Sequence, residues 1–163
     1  MLEHRHWVER ACALATADTP PIVQARLVSW QSGDVKDADD PSDAADALGA
    51  AAHYRVLGDA FQQGKMLLRA GASRLTHESG QPDGQGSPQD GAQSGELLLR
   101  EARDLLALAG NTKSLAHCLS ALASARLFAD DMATAQALHG EALAVMRNIA
   151  TPSWASGATG NRL

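Results

Sequence analysis

Six aspartates, at positions 34, 37, 39, 40, 43 and 46, crowd one short stretch of the chain, and clustered carboxylates raise the question of a cation site. A calcium loop between two helices needs acids or amides at its first, third and fifth positions, then a glycine, and a glutamate at its twelfth. Counted from Asp37, the fifth position is Pro41, so the spacing fails. Asp40-Pro41-Ser42-Asp43 instead gives an N-cap, a proline at the first helical position and an acid beside the free amides of a helix start. His4 and His6 are two apart and diverge on a helix, whereas an i, i+4 pair could share a zinc ion. Cys118 directly follows His117, but adjacent helical side chains point roughly 100° apart, which is poor geometry for a base activating a thiol. Catalytic residues, metal and cofactor are therefore all expected to be absent, and the chain is read as a non-enzyme.

The balance of charge narrows the partners. The 163 residues carry a formal net charge of -5, whereas a nucleic-acid footprint needs clustered Lys and Arg to displace counterions from phosphates. Direct nucleic-acid binding is not expected. Cys12 and Cys118 fall on apolar helical stretches and read as buried, reduced thiols. No run approaches the roughly 20 apolar residues that span a bilayer, and the start, with Glu3, Arg5, Glu9 and Arg10, lacks a signal-peptide pattern. Neither membrane nor export is expected, which leaves a cytoplasmic location.

Hydrophobic residues make up 45% of the chain and aromatics only 4%, with alanine supplying much of the difference. Alanine is the best helix former and lets helix axes approach closely, so the chain is expected to be all-α. Seven helices can be read. The first spans about 3–17 and stops before Asp18-Thr19-Pro20-Pro21. The second, about 20–32, sets Val23, Leu27 and Trp30 on one stripe. The third runs to about Leu57, and Asp59 caps the fourth, which continues to about His77. The fifth, sixth and seventh fall at about 96–109, 112–128 and 131–150. Gly64 and Gly71 weaken the fourth helix unless a neighbour needs a close approach there. Residues 77–95, rich in Gly, Ser, Gln and Pro, are expected to be a disordered insertion in a helical domain of residues 1–150. Residues 151–163 are expected to form a flexible tail.

The helices nearly repeat. Leu67, Gly71, Arg74 and Leu75 return 52 residues later as Leu119, Ala123, Arg126 and Leu127. Both sets follow a helix-ending pair, Gly58-Asp59 or Gly110-Asn111, and a 40-residue offset relates Glu101-Ala102 to Glu141-Ala142. Repeated helix pairs point to a solenoid, whose usual work is binding other proteins. In the sixth and seventh helices, Leu119, Leu122, Ala123, Ala135, Ala142 and Leu143 give a pattern that resembles the tetratricopeptide repeat. Arg126, His139 and Arg147 depart from it, which makes the unit divergent. With Tyr54-Arg55-Val56-Leu57-Gly58-Asp59 and the opening His6-Trp7-Val8-Glu9-Arg10-Ala11, the chain is similar to the repeat arms of large bacterial signalling ATPases and LuxR-type transcription regulators. No G-x-x-x-x-G-K-[ST] phosphate loop accompanies it. It would be an arm without its engine, whether a fragment, a truncated frame or a free-standing protein.

That resemblance implies a right-handed α-solenoid of antiparallel helix pairs, and a concave face made by the first helix of each pair. Matched by position, that face holds His117, Ser120, Ser124, Leu127 and Phe128 in one repeat, and Lys65, Leu68, Ala72, Leu75 and Thr76 in the other. A protein or peptide partner is expected to bury a few anchors there, although the same residues would equally serve to pack a following helix. The Lys and Asn set used by such domains to clamp a terminal carboxylate is missing. Trp7 and Trp154 are candidates for exposed apolar anchors at the ends, where self-association is a further expectation. The alternative function is a sensory or regulatory arm for an ATPase or a DNA-binding part.

Overall fold

Alanine-rich segments interrupted by Pro, Gly and Asx residues fold into helices separated by tight corners. A computed structural model describes residues 2–33, 43–78 and 88–150. They form α1 (Leu2–Leu14), α2 (Pro21–Gly33), α3 (Asp43–Val56), α4 (Ala60–Glu78), α5 (Pro88–Leu108), α6 (Thr112–Phe128) and α7 (Met132–Ala150). No strand occurs among the described residues. The fold is all-helical, with α6 spanning the residues expected of it. Most of the aspartate-rich connection and residues 151–163, with Trp154, lie outside the described residues.

Three corners share one construction. The second residue after each preceding helix takes a positive φ: Gly58 at 71°, Gly110 at 68° and Asp130 at 57°. Its amide and the next one fold back onto the helix just completed. At the first corner Gly58 N donates to Arg55 O and Asp59 N to Tyr54 O, and the same pattern joins Gly110 and Asn111 to Ala107 and Leu106, and Asp130 and Asp131 to Leu127 and Arg126. This left-handed closure satisfies carbonyls that a helix end leaves without partners. The following Asx residue then caps the new helix: Gln62 N donates to Asp59 Oδ1 at 3.0 Å, Ser114 N to Asn111 Oδ1 at 2.9 Å, and Thr134 N to Asp131 Oδ1 at 3.1 Å. One helix is stopped and the next started with three residues between them.

Packing runs from each helix to its chain neighbour, and α4 also reaches α6. Leu99, Leu106, Leu119 and Cys118 are the largest fully buried side chains, and Ala25, Ala47, Ala50, Ala70, Ala102 and Ala123 are buried completely. On α4, Gly64 faces Leu105 and Leu106, while Gly71 faces Leu99 and Gly95. The order of contacts reverses between the two helices, so α4 and α5 run in opposite directions. At Gly71 a Cβ would meet the Gly95 carbonyl oxygen at 2.9 Å and Leu99 at 2.8 Å, whereas at Gly64 it would press on the side chains of Leu105 and Leu106 at 3.0–3.2 Å.

That close approach corrects one expectation. α5 begins at Pro88 and α4 ends at Glu78, so 77–78 and 88–95 are helical where a disordered insertion was expected; residues 79–87 lie outside the described residues. Gly95 is buried against Gly71, Arg74 and Leu75. Its lack of a side chain serves helix contact, a use that composition alone does not distinguish from a loop. The apolar stripe of α2 also needs revision. On α2 only Leu27 of the expected stripe is buried, with Val23 and Trp30 exposed, and on α7 Leu143 and Met146 are exposed while Ala135 and Ala142 are buried. Small residues make the close contacts on these helices, which leaves the larger ones at the margins.

Candidate functional site

Helical spacing puts Lys65, Leu68, Arg69 and Ala72 on one face of α4 at i, i+3, i+4 and i+7. The same rule aligns Arg26, Ser29 and Trp30 on α2, and Ser114 and His117 on α6. The structure brings these three faces together around an open groove of about 560 Å³, with Tyr54 of α3, Gln62 and Met66 completing its lining. Tyr54 and Met66 belong to the packed core and form a floor. Trp30, half-exposed at 49%, supplies apolar surface together with the partly buried Leu68. Lys65 Nζ lies 5.4 Å from the centre of the Phe61 ring, a cation–π distance that steadies the ammonium at the rim.

Of the expected face, Lys65, Leu68, Ala72 and His117 meet in this groove. Ser120 lies in an adjoining, mainly apolar hollow of about 350 Å³ between α6 and α7, which it shares with His117, His139, Leu143 and Met146. Ser124, Leu127 and Phe128 line neither space. The Ser124 hydroxyl donates to Ser120 O of its own helix, and Leu127 and Phe128 are exposed near the α6 end. Thr76 is exposed as well. Leu75 is a correction: it is 6% exposed and part of the core, because the early start of α5 lays Gly95 against it.

Arg26, Trp30, Tyr54 and Arg69 were not among the expected site residues. The i, i+3, i+4 spacing on α2 was visible in the sequence, but nothing there showed that α2 would align with α4 and α6. Arg26, Lys65 and Arg69 all line the groove, and no carboxylate is among its described lining residues, in a chain whose formal net charge is -5.

A third cleft, of about 400 Å³, lies among α5, α6 and α7 and includes Arg100, Arg103 and Arg126. Its cations are already engaged. Glu96 accepts from Arg100 at 2.6 Å and from Arg126, and Arg103 pairs with Asp104 at 2.8 Å. The thiol next to His117 is also occupied: Cys118 is buried and its Sγ–H donates to Leu99 O at 3.1 Å. Burial pushes this thiol up to about 12, so it is held as a neutral thiol and not as a nucleophile. His117 is exposed, and the two do not form a pair. Cys12 is only half-buried. No helix among the described residues is long and apolar enough to cross a membrane.

Comparison with protein-family models, with curated proteins and with solved structures gives no match to this chain.

Proposed function

We propose that this chain is a non-catalytic protein–protein interaction module, an adapter built as a right-handed, tetratricopeptide-repeat-like solenoid of antiparallel helix pairs. The observation that carries the reading is the shared groove of α2, α4 and α6. In a stack of helix pairs, the first helix of every pair lies on the same side, and with α1 as a leading helix these three are the first helices. The reversed contact order of α4 and α5 and the repeated corner support the same arrangement. A cytoplasmic protein or peptide partner would bury an anchor against Trp30 and Leu68 and take its register from the polar rim.

A second reading is a regulatory arm of a bacterial signalling ATPase or transcription regulator, favoured by the exposed Trp7 and Leu14 on α1, at 64% and 74%. Such a surface would be covered by a preceding part or by self-association.

The experiment is site-directed photo-crosslinking in native lysate from positions 65 and 117. It is repeated with Leu68→Glu/Ala72→Glu in the groove and with Leu108→Glu, an exposed site on α5. A product kept by the control and lost from the groove variant supports the adapter. Equal products from all three chains would sink it. Light scattering of the purified chain, showing mass rising with concentration and abolished by Trp7→Glu, would favour the arm.

A further inference from the structure

We propose that Trp154 seats its indole ring in the hollow between α6 and α7, so that the chain following α7 caps the last described helix pair. The inference goes beyond the adapter reading and does not depend on it. A stack of helix pairs leaves one face of its terminal pair without a neighbour, and such a face needs a cap. α7 packs chiefly on α6. Along its free side, Leu143 and Met146 are 57% and 42% exposed and border the mainly apolar hollow of about 350 Å³. Ala116 and Ala142, both buried, also line it. Small residues below and long ones at the side leave a slot suited to a flat apolar ring.

The occupant follows from the sequence beside the hollow. α7 ends at Ala150, and Trp154 is the first large apolar residue after it. Pro152 disfavours helix in the residue before it, which gives the chain a place to leave the axis of α7. From Ala150, four residues of extended chain reach at most about 13–14 Å. At about 1.5 Å per residue, Met146 and Leu143 lie only about 6 and 10 Å back along the helix, so both are within reach. An indole also matches the few polar groups there. Its N–H needs an acceptor when buried, and the Ser120 hydroxyl and the imidazoles of His117 and His139 line the same hollow. A ring tethered this closely has an effective concentration of about millimolar or more at the hollow, an advantage over a second copy arriving from solution.

The test uses the full chain with Trp7→Phe and Trp30→Phe, which leaves Trp154 as the sole tryptophan of the original 3. Its emission and its quenching by acrylamide are measured over a dilution series, in the folded chain and in urea. Leu143→Asp and Met146→Asp, both at exposed positions, are measured alongside after circular dichroism has shown that each keeps its helices. The expected result is folded-state emission at shorter wavelength than in urea, with slower quenching, the same at every concentration. Both variants should return the emission toward its value in urea. Water-like emission in the folded parent, a shielded ring indifferent to both substitutions, or shielding lost on dilution, which would assign the hollow to a second copy, would each overturn the inference. None of these outcomes decides the adapter reading, which stands or falls on crosslinking from positions 65 and 117.

Discussion

A Cβ on Gly71 would lie 2.9 Å from the carbonyl oxygen of Gly95, and a Cβ on Gly95 would lie 3.0 Å from that of Gly71. At this point α4 and α5 meet backbone to backbone. Gly71→Ala gains about 1 kcal/mol in helix propensity but places a methyl against a carbonyl and against Leu99 Cγ at 2.8 Å. Overpacking of this kind costs about 1–3 kcal/mol, and the backbone oxygen cannot rotate away, so net destabilisation is expected. Gly140→Ala on α7 meets nothing within 4 Å and should gain up to about 1 kcal/mol. Urea denaturation of both variants checks the opposite signs, with an unchanged slope showing that stability alone has moved.

The corners give a second set of signs. Gly110 and Asp130 occupy equivalent left-handed positions, at φ 68° and 57°, yet only one is glycine. Gly110→Ala should lose about 1 kcal/mol, because a Cβ is disfavoured there. Asp130→Gly should gain several tenths of a kcal/mol, the relief being partly offset by the greater freedom of glycine in the unfolded chain. Asn111→Ala removes the acceptor for Ser114 N and should lose about 1 kcal/mol. Thermal melts of the three single variants would show these directions, and an Asp130→Gly chain melting below the parent would contradict the account.

The corners also show where sequence reasoning works. Gly58-Asp59 and Gly110-Asn111 were legible because a left-handed residue and an Asx cap are local requirements with recognisable side chains. Asp130-Asp131 makes the same turn without a glycine, so its resemblance to the other two emerged only from backbone geometry. The residues around Gly95 were misread for the converse reason: glycine marks both a loop and a close helix contact, and the partner that decides between them lies on α4. Leu75 and Leu127 show the limit of transferring positions through a repeat. Alongside Leu75, α5 extends far enough to cover it with Gly95. After Leu127 the chain turns at once into α7, and Leu127 remains exposed. The groove cations were visible individually, but their meeting is a tertiary fact that no local spacing contains.

Cys118 and Cys12 should separate cleanly in a thiol-labelling experiment. Burial holds Cys118 at about 12, so at neutral pH it should react with an aromatic disulfide only as fast as the structure opens, while the half-buried Cys12 reacts first. The same shift sets a pH dependence. Because the folded value lies above the ordinary 9.0, the unfolded chain releases this proton first as the pH rises. The stabilisation is full below about 9 and is lost progressively toward 12. Cys118→Ala should therefore lose less stability between these limits than the parent, a difference measurable by denaturant titration across alkaline pH. Parallel curves would rule out this linkage.

The guanidinium of Arg126 reaches from α6 to Glu96 on α5. Both side chains are largely covered, at 24% and 17% exposure, and Glu96 also holds Arg100. Removing one partner of a covered ion pair leaves a charge without its counterpart, whereas replacing both by apolar groups removes the desolvation penalty with the attraction. Glu96→Ala and Arg126→Ala should each cost about 1–3 kcal/mol, and Glu96→Leu/Arg126→Met should cost less than the sum of the corresponding single changes. The double-mutant cycle should give a coupling of about 0.5–3 kcal/mol. It should persist in high salt, because screening acts weakly on covered pairs. Additive single effects would show that α5 and α6 are held here by apolar packing alone.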